Sequence, residues 1–195
     1  MIIGITGGTG CGKTTLLSAI EARGGLVLDC DTIYHELLKS NDALLRSIET
    51  RFPGTVEQGI LQRKKLGAIV FADPQALQDL NAITHSAIKA EVLRRLEAKP
   101  KLAAIDAIAL FESGLADLCD VTVAVTAPVE DRVRRLMARD SISEEYARSR
   151  IAAQPSEDWF RQRCDRVLEN KNTREHFQKK CLAFLQDWGI MIEDI

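Results

Sequence analysis

Gly7, Gly12, Lys13 and Thr14 stand in the spacing Gly-x-x-x-x-Gly-Lys-[Ser/Thr], inside the stretch GITGGTGCGKTTLL at residues 4–17. Each residue type has a physical reason. Glycines let successive backbone N–H groups turn into one concave nest that binds anions. A helix that starts just afterwards presents its positive end to the same anion. Lys13 can reach the β- and γ-phosphates of a nucleotide, and the Thr14 hydroxyl can ligate Mg²⁺. Gly8, Thr9, Gly10, Cys11, Gly12, Lys13, Thr14 and Thr15 are therefore the expected cradle for ATP. Cys11 reads as a small filler, although a thiol at a helix N-terminus has some tendency to ionise.

A bound phosphate does not define a reaction. A guanine-reading Asn-Lys-x-Asp would mark a GTPase, but the only Asn-Lys pair, Asn170-Lys171, is followed by Asn172-Thr173. Transfer of a phosphoryl group needs a base for the acceptor hydroxyl, an acceptor site and mobile positive charge. Asp29 and Asp31 close the expected second strand, and Asp31 is the candidate base. It can also cap the helix that begins at Thr32-Ile33. Arg132, Arg134, Arg135 and Arg139 share one expected helix. Arg139, in its last turn, is the candidate for charge over the phosphates. Arg132 and Arg134 read as solvated partners of Glu130 and Asp131. Asp106 follows four small or apolar residues and resembles a weak second acid near the metal, acting through water. His85 reads first as a packing or capping histidine, with an acceptor contact as the alternative. Glu112 fits a substrate contact or a solvated carboxylate equally. Trp159 and Trp188 read as packing residues.

Local patterns place these residues on elements. Residues 1–6 (MIIGIT) and 26–28 form strands around a helix stopped by Gly24-Gly25, a βαβ unit that implies a parallel sheet. Residues 32–99 are mostly helical, broken at Phe52-Pro53-Gly54. Asp73-Pro74 starts a helix, and Ile83, Ala87, Ile88, Val92 and Leu96 give an amphipathic face closed by Pro100. Residues 102–108 and 121–126 are buried strands, Pro128 starts a helix, and Ser141-x-x-Glu144 offers a capping box. Val167-Leu168 is a last short strand, and residues 173–188 a final helix ended by Gly189. The fold class is α/β, a doubly wound parallel sheet of about five strands with its ligand at the strands' carboxyl ends.

Composition sets outer limits. The chain has 195 residues, 46% hydrophobic and 28% charged, which suits one substantial core. A net charge of -2 gives no bulk attraction to nucleic acid or an acidic membrane. Five widely spaced cysteines without a C-x-x-C argue against a disulfide framework or zinc site and for a reducing compartment. With no signal-like or membrane-spanning run, the expectation is a soluble cytoplasmic protein. Oligomeric state is not fixed, and a monomer is compatible with the sequence.

The ordered stretches TGGTGCGKTT, VLDCDTIYHELL, LQRKKLGAIVFADPQALQDLNAITHSAI, IDAIALFESGL, RRLMARDSISEEYARSRIAAQ and CDRVLENKNT resemble the dephospho-CoA kinase family over roughly residues 1–175. The resemblance implies ATP-dependent phosphorylation of the 3′-hydroxyl of dephospho-CoA, the last step of coenzyme A synthesis, on a P-loop kinase fold. It implies a core (about 1–31, 101–128 and 164–195), a helical CoA-binding region (about 32–100) and a lid (about 129–163). By matching positions it makes Asp31 the base, Lys13 and Thr14 the holders of phosphates and Mg²⁺, Arg63 an acceptor contact, Arg139 the lid cation, and Asn170 a neighbour of the nucleotide base. The chain departs from the family pattern at Ser86, after His85, and at Ile108, where family members often have proline. Two other readings of the function stay open: another small-molecule kinase acting on a nucleoside, nucleotide or sugar, which the two acceptor-side departures keep open, and a nucleotide-binding switch without turnover.

Overall fold

The computed structural model describes residues 1–190; the last five residues of the expected core lie outside them. The chain forms two compact units, one from Met1–Leu28 and the chain from Pro100 onward, the other from Asp29–Lys99. The first unit opens with β1 (Ile2–Thr6), α1 (Lys13–Glu21) and β2 (Leu26–Asp29). Gly12 caps α1 in the left-handed region at φ 98°, a conformation glycine adopts without a Cβ penalty.

The second unit begins with α2 (Cys30–Ser40) and α3 (Asp42–Arg51). Asp29 is the N-cap of α2: its Oδ1 accepts from the N–H groups of Asp31 and Thr32 at 2.9 and 3.2 Å. The capping role expected for Asp31 therefore falls to Asp29, and Asp31 already lies in the first turn of the helix. A two-stranded hairpin follows, β3 (Val56–Glu57) and β4 (Ile60–Leu61), antiparallel with Val56 opposite Leu61. It was not expected from the sequence. Gln58 and Gly59 form its turn with φ 51° and 77°, and two positive φ values match the twist of a tight hairpin. Then come α4 (Arg63–Val70) and α5 (Pro74–Leu96). Asp73 caps α5 through the N–H of Gln75, with Pro74 in the first position. The expected helix start at Asp73-Pro74 and the amphipathic run to Leu96 are thus one helix of 23 residues. Leu37, Leu45, Ile48, Phe52, Leu66 and Val92 are buried in this unit.

The first unit resumes with β5 (Ala103–Asp106), β6 (Val121–Thr126), α6 (Val129–Asp140), α7 (Glu144–Ala152), α8 (Glu157–Arg163), β7 (Arg166–Glu169) and α9 (Arg174–Asp187). Its sheet has the order β2-β5-β1-β6-β7, and the β5–β1, β1–β6 and β6–β7 pairs are parallel. Alternation decides the faces. Ile3, Ile5, Val121, Val123 and Val125 point to one face, where they pack with Leu16 and Ile20 of α1 and Phe177, Phe184 and Leu185 of α9. Full burial of each such side chain contributes ~1.5–3 kcal/mol. Val133 and Leu136 of α6 pack on Ala147 and Ile151 of α7 in a separate small cluster.

The expected capping box at Ser141 is overturned. Ser141 ends α6 in the left-handed region at φ 53°, and Ser143 caps α7 by accepting from the N–H of Tyr146. The strand expected over 102–108 stops at Asp106, where the chain turns away from the sheet. Among the described residues no helix is long and apolar enough to cross a membrane.

Candidate functional site

β1 is the central strand, so the loop that leaves it at Thr6 emerges at the carboxyl end of a parallel sheet, the usual ligand crevice of this architecture. Gly7 is required there: it has φ 132°, and a Cβ would collide with the carbonyl of Val125 on the neighbouring strand. Lys13, the first residue of α1, folds its side chain back over the loop. Its Nζ donates to the Gly7 carbonyl at 3.2 Å and lies 3.8 Å from Oδ1 of Asp106, at the end of β5. Both side chains are about 15% exposed, so the pair is only partly screened by solvent. Thr14 is exposed in the first turn of α1. The Thr6 hydroxyl donates to the carbonyl of Ile108 at 3.2 Å, which fixes the start of the segment after β5. Glu112 lies exposed on that segment.

The loop is braced from several directions. Arg132 Nε donates to the Thr9 carbonyl at 2.9 Å, and its Nη2 donates to Oε1 of Gln154 at 2.9 Å. That same oxygen accepts from the N–H of Thr9 at 2.8 Å. Arg135 Nη1 reaches the carbonyls of Gly10 at 3.1 Å and Cys11 at 3.4 Å. Asn170, expected beside the nucleotide base, is 6% exposed, and its Nδ2 donates to the Cys11 carbonyl at 2.9 Å. Arg132 is therefore no solvated partner of Asp131 and Glu130; Arg134 takes Asp131, and Arg148 takes Glu130. Gln154 was not singled out from the sequence, and Arg135 was noted only as one of four arginines on a helix, without this role. Their partners in the loop lie more than a hundred residues away in the chain, so no local signal marks the contacts.

The Cys11 thiol is buried at the loop's base. Burial pushes its pKa up despite the nearby Arg132 and Lys13, which corrects the expectation that the helix N-terminus favours ionisation. Arg139 lies in the last turn of α6 with a 60% exposed side chain, and its Nε and Nη2 both donate to the carboxylate of Asp140, at 2.6 and 3.0 Å. Asp140 also accepts from Arg150 of α7 at 2.7 Å. Trp159 packs edge-on against Phe111 and Phe160, with the Arg163 guanidinium 4.2 Å from its ring centre, and Trp188 packs near Phe184.

In the second unit, Asp31 and His35 are four residues apart on α2 and share one face. Arg63, the first residue of α4, donates from Nη2 to Nδ1 of His35 at 3.3 Å. Tyr34 lies close to Arg63 as well; burial raises its hydroxyl pKa, and the guanidinium opposes that rise. Asp31 and Arg63 thus border one surface of this unit. His85 is half-buried in the middle of α5.

A Gly-x-x-x-x-Gly-Lys-Thr loop between the central strand of such a sheet and its first helix defines a nucleotide-binding protein of the P-loop fold. The sequence pattern of the dephospho-CoA kinases matches residues 1–176, and the chain belongs to that family. It is 34% identical to a dephospho-CoA kinase from Corynebacterium diphtheriae, covering 98% of this chain and 99% of the relative. It is 36% identical to one from Geobacillus kaustophilus, covering 98% of each. A crystal structure from Thermus thermophilus superposes with a TM-score of 0.80 at 34% identity, covering 96% of this chain and 97% of the other.

Proposed function

We propose that this chain transfers the γ-phosphoryl group of ATP to the 3′-hydroxyl of dephospho-CoA. The observation that carries the reading is the Lys13 ammonium, held over the loop between the Gly7 carbonyl and Asp106, in a chain of this family. A cation held beside the loop is already near the β- and γ-phosphates that such a loop binds, and preorganised charge lowers the barrier to transfer.

Asp31 accepts the proton of the 3′-hydroxyl in this scheme. Its carboxylate is exposed and relieved of capping by Asp29, so it can face an acceptor. Arg63 contacts the acceptor's anionic part, steadied by His35. His85 and Glu112 are further candidate contacts of the acceptor in this reading. Arg139 supplies charge to the transferring group by exchanging Asp140 for phosphate oxygens, with residues 129–163 acting as a lid. Asn170 serves the site through its tie to Cys11.

Mg²⁺ takes most of its ligands from nucleotide phosphates and water and needs one or two protein oxygens. The exposed Thr14 hydroxyl and the Asp106 carboxylate fit that requirement, Asp106 through water. When bound, the ion would neutralise charge on the β- and γ-phosphates.

The reading is tested by following ADP release with dephospho-CoA against a panel of nucleosides, nucleotides and sugars. Phosphorus NMR of the product should show a 3′-phosphomonoester. Equal turnover with a nucleoside, or none with dephospho-CoA, overturns it.

A further inference from the structure

Three consecutive carbonyls of the phosphate loop accept hydrogen bonds from side chains far away in the sequence. The Thr9 carbonyl takes Arg132, that of Gly10 takes Arg135, and that of Cys11 takes Asn170. A peptide unit is planar and trans, so its N–H points away from its C=O. Fixing a carbonyl on the outer side of the loop fixes the next N–H toward the inner side. The Arg132 bond thereby orients the N–H of Gly10, and the Asn170 bond orients that of Gly12.

Gln154 adds a different kind of contact. Its Oε1 accepts both from the N–H of Thr9 at 2.8 Å and from Arg132 Nη2 at 2.9 Å, while Arg132 Nε holds the Thr9 carbonyl. Thr9 is thus gripped at both backbone polar atoms by two side chains that also grip each other. The arrangement lies close over the loop: a Cβ on Gly8 would collide with the Arg132 guanidinium and come within 3.0 Å of Gln154 Oε1. A loop this rich in glycine has many unbound conformations, and ordering it costs affinity unless something orders it beforehand. A glutamine suits the task because it accepts two hydrogen bonds without bringing negative charge toward a polyphosphate.

We infer that Gln154 is a positioning residue for the phosphate loop, presetting the Thr9 peptide together with Arg132 and so setting the affinity for the nucleotide. This rests on the reading that the loop holds the phosphates of ATP. Gln154 acts through Thr9 and Arg132, so its loss weakens nucleotide binding and leaves the acceptor side alone.

The test uses the full chain as wild type, Gln154→Ala, Arg132→Met and the double variant. ATP affinity is measured by calorimetry, KM for each substrate by steady-state assay, and melting temperature without ligand. Gln154→Ala is expected to weaken ATP about 10-fold, the effect of losing one or two partly buried hydrogen bonds. KM for dephospho-CoA should stay within about 2-fold, and the melting temperature should fall by no more than about 2–4 °C, since Gln154 is partly exposed and outside the core. The double variant should bind ATP no worse than the weaker single variant, because the two side chains act as one unit. Wild-type affinity in Gln154→Ala, additive losses in the double variant, equal weakening of both substrates, or a loss that tracks a larger fall in melting temperature each overturns the proposal. If the wild type itself does not bind ATP, the assignment of the loop falls first and this one with it.

Discussion

Lys13 Nζ and Asp106 Oδ1 face each other across 3.8 Å at the carboxyl end of the sheet, each about 15% exposed. The carboxylate keeps the ammonium in place before any phosphate arrives. Lys13→Met should lower kcat by ~10²–10³-fold, the range for removing one preorganised donor to a developing anion. Turnover assays check the outcome.

Asp31→Asn keeps the size of the side chain and removes the proton acceptor. Asp29 retains the cap of α2, so the helix should keep its stability. Turnover should fall by at least ~10²-fold with ATP affinity nearly unchanged. Near-normal kcat in this variant would exclude Asp31 as the base.

Arg63 tests the acceptor side. Arg63→Ala should raise KM for dephospho-CoA ~10–100-fold, the value of a charge-assisted hydrogen bond, with little change in ATP affinity. His35→Ala removes a neighbour of that guanidinium rather than the cation, so its effect on the same KM should be smaller. An equal effect of both on ATP affinity would contradict the assignment.

Hydrogen bonds from Arg139, and then from Arg150, hold the Asp140 carboxyl down to about 2. The folded pKa lies below the unfolded value of ~3.9. The contribution to stability is therefore fully present above pH ~4 and is lost as pH falls through about 2. At neutral pH Asp140 remains charged, so release of Arg139 toward a phosphate is an exchange of anions and no titration. Carbon NMR of the side-chain carboxyl should place the midpoint near 2; a midpoint near 4 would show that the contact does not persist in solution.

The cysteines give a labelling prediction. Burial pushes the thiols of Cys119 and Cys181 up to about 12. At pH 8 their thiolate fraction is far below ~10⁻², and the thiolate is the reactive form. Iodoacetamide on the native protein should leave Cys181 unmodified by mass spectrometry, while denatured protein should be labelled at all five positions. Fast native labelling of Cys181 would mean that α9 opens from the sheet.

The parts legible in the sequence are those encoded locally. The phosphate loop, the strands around it and the Asp73-Pro74 helix start depend on residues a few positions apart, and the structure has them where the spacing puts them. The β3–β4 hairpin escaped because each strand has two residues and its turn is Gln58-Gly59, not the Asn-Gly pair that marks such turns. Glu144 stands three residues after Ser141 and directly after Ser143, so the sequence does not decide which serine ends one helix and which begins the next. Arg132 was misread because Asp131 and Glu130 offered nearer partners than a carbonyl 123 residues away. Arg135, Asn170 and Gln154 meet the loop only through the fold.

The division of duties between Asp29 and Asp31 has a consequence for how this chain can vary. Two identical residues, two positions apart, answer to different pressures: one holds a helix end, the other is free for chemistry. Asparagine, serine or threonine at position 29 can keep that helix end in place, because each offers a side-chain oxygen to the same amides. Position 31 has less latitude in the proposed reaction, since asparagine, serine and threonine lack a basic group to take the hydroxyl proton. Inheritable change should therefore pass through the first aspartate and stop at the second.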